Sequence, residues 1–296
     1  MTLLYTVPHG EAFGVAIAIY FYLTGLSAGS FIISTLAYGF GFEKYKPLGK
    51  VGVVIATLLL VAAPMFLLFH SGRPLRAWHL FVYINGTSPI SWGSFLLTLY
   101  PLNCVVYGYF MFRGNAKLTK LFGRIGIPLA LMVHGYTGFI LSFAKAHVLW
   151  RTSMMPILFL TSALVSGVAM MILVTIIKDR FFSEKGEINT EIIFGLGKML
   201  LWLLVFDLFL SLSDLGVHYF GERESMETAR LFLVGAFAPL FLGVETLMGK
   251  VIPLILVAVP RTRNVAVFGV ASVLVMIGIF CMRYNVVIGG EFVPLI

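Results

Sequence analysis

Two groups of side chains able to exchange protons stand out from an otherwise apolar chain. The first comprises Tyr20, His70 and the run His134-Gly135-Tyr136-Thr137-Gly138, with Arg76 and His79 in the segment His70-Ser71-Gly72-Arg73-Pro74-Leu75-Arg76-Ala77-Trp78-His79. A phenol or imidazole donates a hydrogen bond to a carbonyl and passes on a proton. The set therefore suits an apolar planar ring with two carbonyl oxygens, a quinone. Singly, the same residues also serve as aromatic helix contacts, and Trp78, Trp92 and the arginines equally suit an interfacial loop on lipid phosphates. The second group is Lys198, Asp207, Ser211, Ser213 and Asp214 in one apolar stretch, with Glu245 and Lys250 in the next. Acids and lysines inside a bilayer are costly unless paired or hydrated. Two chemistries are open there. One is ion pairing between helices, Asp207 or Glu245 against Lys198; the other is a proton path through Lys198, Asp207, Asp214 and Glu245.

Other chemistries find no residues. His9, His70, His79, His147 and His218 fall near the ends of apolar stretches, and only His134 lies in the middle of one. A pair of b-type haems needs histidines facing each other at matched depths, so no haem is expected. Cys104 and Cys281 stand in separate apolar stretches without a CxxC, which predicts small buried hydrophobes and neither an iron–sulfur cluster nor a zinc site. No catalytic residue set is expected on this chain alone.

The elements that must position these groups are membrane spans. Of the 296 residues, 59% are hydrophobic and 11% charged, and the mean hydropathy is +0.98, far from the composition of a soluble domain. A span needs about 20 apolar residues, and eight segments qualify, near 13–38, 51–69, 92–112, 125–144, 155–177, 191–213, 230–259 and 265–283. The seventh is long, about 45 Å of straight helix, so Pro239, Lys250 or Pro253 is expected to mark a tilt, kink or break. The start Met1-Thr2-Leu3-Leu4-Tyr5 lacks the basic region of a signal peptide.

An even number of spans puts both termini on one face. Lys44, Lys46, Lys50, Arg113, Lys117, Lys120, Arg124, Lys178, Arg180, Lys185, Arg261 and Arg263, twelve in all, fall on the opposite face. The terminal face receives seven: Arg73, Arg76, Lys145, Arg151, Arg223, Arg230 and Arg283. The positive-inside rule then predicts both termini outside. The +8 net charge is thus spread over short loops and does not point to nucleic acid. Leu26-Ser27-Ala28-Gly29 in the first span resembles Leu164-Val165-Ser166-Gly167 in the fifth. Four spans separate the copies, so they point the same way and suggest a parallel duplication. The predicted fold is an all-α integral membrane protein whose eight transmembrane helices form two four-helix bundles, residues 1–154 and 155–296.

Five motifs carry a further resemblance: Tyr22-Leu23-Thr24-Gly25-Leu26-Ser27-Ala28-Gly29, Gly72-Arg73-Pro74-Leu75-Arg76-Ala77-Trp78-His79, Ser88-Pro89-Ile90-Ser91-Trp92-Gly93, Tyr136-Thr137-Gly138-Phe139-Ile140-Leu141-Ser142, and Trp150 followed by Pro156-Ile157-Leu158-Phe159-Leu160. In this order they resemble the NrfD/polysulfide reductase membrane-subunit family. The resemblance implies a haem-free subunit of a respiratory oxidoreductase in the cell inner membrane. It implies electron exchange between menaquinone or ubiquinone and a four-cluster, ferredoxin-like iron–sulfur subunit, with a catalytic subunit beyond it on the outer face. It also implies a quinone site at Tyr20, His70 and Tyr136. Many relatives carry Asp or Glu where this chain has His70, and Tyr20 matches by position only. An ion-coupled transporter and a structural anchor are the alternative classes.

Overall fold

The computed structural model describes residues 13–144, 147–182 and 189–292. Met1 to Tyr5, His9, Lys145 and Lys185, used above, lie outside the described residues. Within them every regular element is helical, and eight helices are long and apolar enough to cross a membrane. We label them α1 (Val15–Tyr38), α2 (Lys46–His70), α3 (Pro89–Phe112), α4 (Ala116–Ser142), α5 (Met155–Phe182), α6 (Thr190–Tyr219), α7 (Pro239–Ala258) and α8 (Val265–Gly289). The chain is a multi-pass membrane protein. Starts follow local chemistry. Asn115, Asn189 and Asn264 cap α4, α6 and α8 by accepting from the backbone N–H three residues on, and Pro89 and Pro239 open α3 and α7.

The seventh segment differs from its expected extent. An 11-residue helix, Arg223–Leu233, precedes α7, and the chain breaks before Pro239. Such a helix is about 16 Å long, too short to span. It buries Thr228, Ala229 and Phe232 and carries Arg223, Glu224, Glu227 and Arg230, the division of an interfacial amphipathic helix. The apolar residues of 231–238 are continuous with the span in composition, which hides the break from hydropathy.

α1 is the most enclosed span. It packs on α2, α4, α5 and α8, and its buried face is small and polar: Thr24, Gly25, Ser27, Ala28, Gly29 and Ser30. Lipid tails are as apolar as leucine, so helices associate through close packing and hydrogen bonds. Both occur here. Ser27 Oγ donates to Ala56 O at 2.7 Å and Ser34 Oγ to Gly49 O at 2.6 Å, tying α1 to α2. α1 and α5 cross at the two matching motifs: a Cβ built on Gly29 would stand 2.7 Å from Gly167 Cα, and one on Gly167 2.4 Å from Gly29 Cα. The repeated glycines meet each other. Leu58, Met65, Trp202 and Phe209, on α2 and α6, face outward to lipid.

α7 and α8 carry the irregular backbone. Residues Pro239–Val251 of α7 and Asn285–Gly289 of α8 are π-helical, a form that is rare and concentrated at functional sites. In the second segment Val286 O accepts from Trp150 Nε1 at 2.6 Å, anchoring the loop that follows α4.

Candidate functional site

A cleft of about 420 Å³ opens between the start of α1, the end of α2, the start of α3 and the last turns of α4. Tyr20, His70, Arg76 and Tyr136, four of the five residues expected to bind a quinone, line it. Each is placed by an identifiable local feature. Tyr20 is buried one turn inside α1, its ring 5.4 Å from that of Phe21. His70 is the last residue of α2, beside Gly14, where a Cβ would stand 3.7 Å from the imidazole Nδ1. Past it, Gly72 has φ +63° and turns the chain back over the cleft, bringing Arg73 and Arg76 to its mouth. Tyr136 lies against the backbone of α3. A Cβ on Gly93 would fall 2.1 Å from the phenol oxygen, so only glycine leaves room for that ring. The walls are apolar, from residues such as Ile17, Leu67, Leu97 and Ile140.

His79 is not brought into the cleft. Its ring packs against Trp78 at 4.1 Å and Tyr83 at 5.6 Å in the short helical turn His79–Val82. Arg73 lines the cleft instead. It was already in the same basic segment, but spacing alone gave no reason to choose between the two.

The second polar group is ion-paired, as one expectation had it, but through a different lysine. Lys250, not Lys198, is the partner of the acids. Its buried ammonium stands 3.0 Å from Asp207 Oδ2 and 3.3 Å from Glu245 Oε1, and donates to Ser211 Oγ at 2.6 Å. Asp207 is at ion-pair distance, yet neither of its oxygens has hydrogen-bond alignment with a partner. Lys198 is exposed, nine residues before Asp207 on α6, about 13 Å along the axis. It lies near Arg263 and Phe268. Asn285 Nδ2 completes the cluster, donating to Glu245 Oε2 at 2.8 Å. Asp214 is buried apart from it, with His218 Nε2 3.9 Å from Asp214 Oδ2.

One buried cation was placed wrongly by sequence. Arg283, counted above among the loop residues of the terminal face, is 1% exposed because α8 runs on to Gly289. Its Nη2, whose two N–H are shared among three acceptors, lies 3.0 Å from His134 Nε2, 3.0 Å from Phe159 O and 2.6 Å from Ser162 Oγ, and its guanidinium lies 3.8 Å from the Phe159 ring centroid. Because guanidinium only donates, His134 Nε2 accepts and the imidazole is neutral, with its proton on Nδ1. Removing Arg283 from the loop tally leaves six cations on the terminal face against twelve, which sharpens the bias. Among the described residues no three metal-ligating side chains stand together, and Cys104 and Cys281 are both buried free thiols.

Fold and site together define a polytopic helical membrane protein with a wide apolar cleft at one end of its first four helices and an ionic interior in its last four. The chain belongs to the family described as polysulphide reductase, NrfD, whose profile matches residues 7–294. It is 28% identical to the C subunit of selenate reductase from Mesobacillus selenatarsenatis, over 96% of this chain and 75% of that one. It is 29% identical to the Hdr-like menaquinol oxidoreductase integral membrane subunit of Archaeoglobus fulgidus, over 92% and 69%. It is 28% identical to the C subunit of polysulfide reductase from Wolinella succinogenes, over 93% of each.

Proposed function

We propose that this chain is the quinone-binding membrane subunit of a respiratory oxidoreductase in the cell inner membrane, exchanging electrons with a four-cluster iron–sulfur subunit that joins it to a catalytic subunit. The convergence of Tyr20, His70, Arg76 and Tyr136 on one apolar cleft carries this reading. The names of the relatives support it: two are subunits of reductases and the third is the integral membrane subunit of a menaquinol oxidoreductase. A menaquinone or ubiquinone would supply two-electron, two-proton chemistry. The chain supplies donors and a dry slot. Tyr136 and His70 would donate to the quinone's carbonyl oxygens, Tyr20 would close the inner wall, and Arg76 would hold the mouth positive against developing negative charge. His79, outside the cleft, belongs with the surface offered to the partner, where Leu75 and Trp78 are exposed beside Arg73 and Arg76. The first four helices and the last four, divided at 154/155, are two bundles with separate tasks. The second, through Asp207, Asp214 and Glu245, moves protons.

Tyr136→Phe keeps the ring and removes one donor. A charge-assisted hydrogen bond is worth about 1.5–3 kcal/mol, so quinone-linked turnover of the intact complex is expected to fall roughly tenfold to a hundredfold. His70→Ala is expected to fall at least as far, since it loses proton exchange as well. Wild-type quinone kinetics in both variants, with the partner still bound, would place the pocket elsewhere.

We further propose, from the cation bias, that both termini lie outside. A reporter inserted at Asn115, between α3 and α4, is expected to read cytoplasmic, and one at Glu222, between α6 and the interfacial helix, external. The reverse pattern would put the partner in the cytoplasm.

A further inference from the structure

The second half contains a narrow cavity of about 50 Å³ bordered by the start of α5, the end of α6, the start of α7 and the end of α8. Four helices earlier, the same four places border the quinone cleft. The two spaces correspond, but they are covered differently. Over the cleft lies the open turn at Gly72, with Leu75 90% exposed. Over the narrow cavity lies the interfacial helix Arg223–Leu233, which inserts Phe232 between Phe237 and Phe241, ring centroids 5.6 Å from each. A ring of quinone size is excluded.

What remains is small and polar at several points. Asp214 Oδ1, His218 Nε2 and Asn285 Oδ1 are buried without a hydrogen-bond partner, and all three residues line this cavity with Ser211 and Glu245. Unsatisfied polar atoms of this kind are matched by internal water, and one water needs about 10–15 Å³ of such space. The cavity has room for a few.

We propose that this cavity is a hydrated proton-entry chamber on the membrane face that carries the quinone cleft, its ligands being water and the proton. This deepens the reading of the second half as a proton path and rests on it. Asp214 and His218 stand at the mouth, near the end of α6, and Glu245 at the inner end. A proton received on Asp214 Oδ1 crosses the water chain to a Glu245 oxygen. One O–H bond breaks at the donor as another forms at the acceptor. Neutralising Glu245 leaves Asp207 as the sole carboxylate facing Lys250, so arrival of the proton is registered in the ion-pair cluster. Phe232 keeps the chamber narrow enough for water and too narrow for lipid or quinone.

The test is radiolytic hydroxyl labelling of the purified protein with its partner subunits, read by mass spectrometry. Met155 and Met282 line the chamber, whereas Met171, also buried on α5, packs in an apolar cluster away from it. Bound water is expected to make Met155 and Met282 oxidise at least about fivefold faster than Met171, and Asp214→Leu, which fills the chamber, to abolish the difference. Equal rates for the three methionines in the unaltered protein would overturn the proposal. In vesicles, Asp214→Asn is expected to lower the protons taken up per electron transferred at least about twofold, and an unchanged ratio would overturn the proton role. Absence of quinone turnover in the unaltered complex would instead count against the quinone cleft, while the labelling result stands independently of it.

Discussion

Replacing Lys250 by methionine is expected to destabilise the protein by about 3–5 kcal/mol, the range for removing one partner of a buried ion pair. The lysine is 1% exposed and is the cation at ion-pair distance from both Asp207 and Glu245. Without it Glu245 retains the Asn285 amide, and Asp207, already without aligned hydrogen-bond donors, loses the cation at ion-pair distance. Two carboxylates would then face each other in a low-dielectric interior, and at least one must take up a proton for the helices to stay packed. Thermal unfolding and the monodisperse yield in detergent measure the loss. The triple variant Lys250→Met, Asp207→Asn, Glu245→Gln removes all three charges and is expected to recover most of it, because replacing every member of a buried ionic set is close to neutral. A single variant as stable as the parent would mean that the cluster is not ionic.

Gly29→Val is expected to cost about 3 kcal/mol or more, at the upper end of overpacking or beyond it. The added Cβ would meet Ala163 O at 2.4 Å and Gly167 Cα at 2.7 Å. Both are backbone atoms, so no rotamer change relieves the contact. α1 and α5 must separate, and α1 carries Tyr20 and the hydroxyl bonds to α2. The protein should therefore lose both folded yield and the cleft. Gly216→Ala is the matched control: nothing lies within 4 Å of a Cβ there, and its yield and melting temperature should stay at parental values.

The parts of the molecule legible in the sequence are those that depend on depth. A bilayer demands about 20 apolar residues per crossing, so the eight spans were readable. The family motifs in turn pointed to Tyr20, His70 and Tyr136, which the fold brings to one cleft. Direction around a helix or within a turn is not readable in this way. His79 and Arg73 share a hairpin, but only the fold decides that Arg73 faces the cleft and His79 packs on Trp78. Lys198 was the partner expected for Asp207 because it shares the same apolar stretch, but packing of α7 beside α6 brings Lys250 there instead. Arg283 was misplaced because the apolar run ends close to it, while the helix continues in π form to Gly289. Pairing with His134 and Ser162 on two other helices is long-range information that no local pattern holds.

The π-helical stretch of α7 makes chain length itself part of the ionic cluster. Glu245 and Lys250 are five residues apart, and in an α-helix they would point about 140° away from each other. In the i→i+5 geometry they sit one above the other, 3.3 Å apart. The pair thus depends on the count of residues between its members as much as on their identity. An insertion or deletion within residues 246–249 would change the register of the charge while leaving every residue of the cluster unsubstituted. Variation in length across this short window is therefore a route by which related proteins could gain or lose the cluster without substituting any of its charged residues.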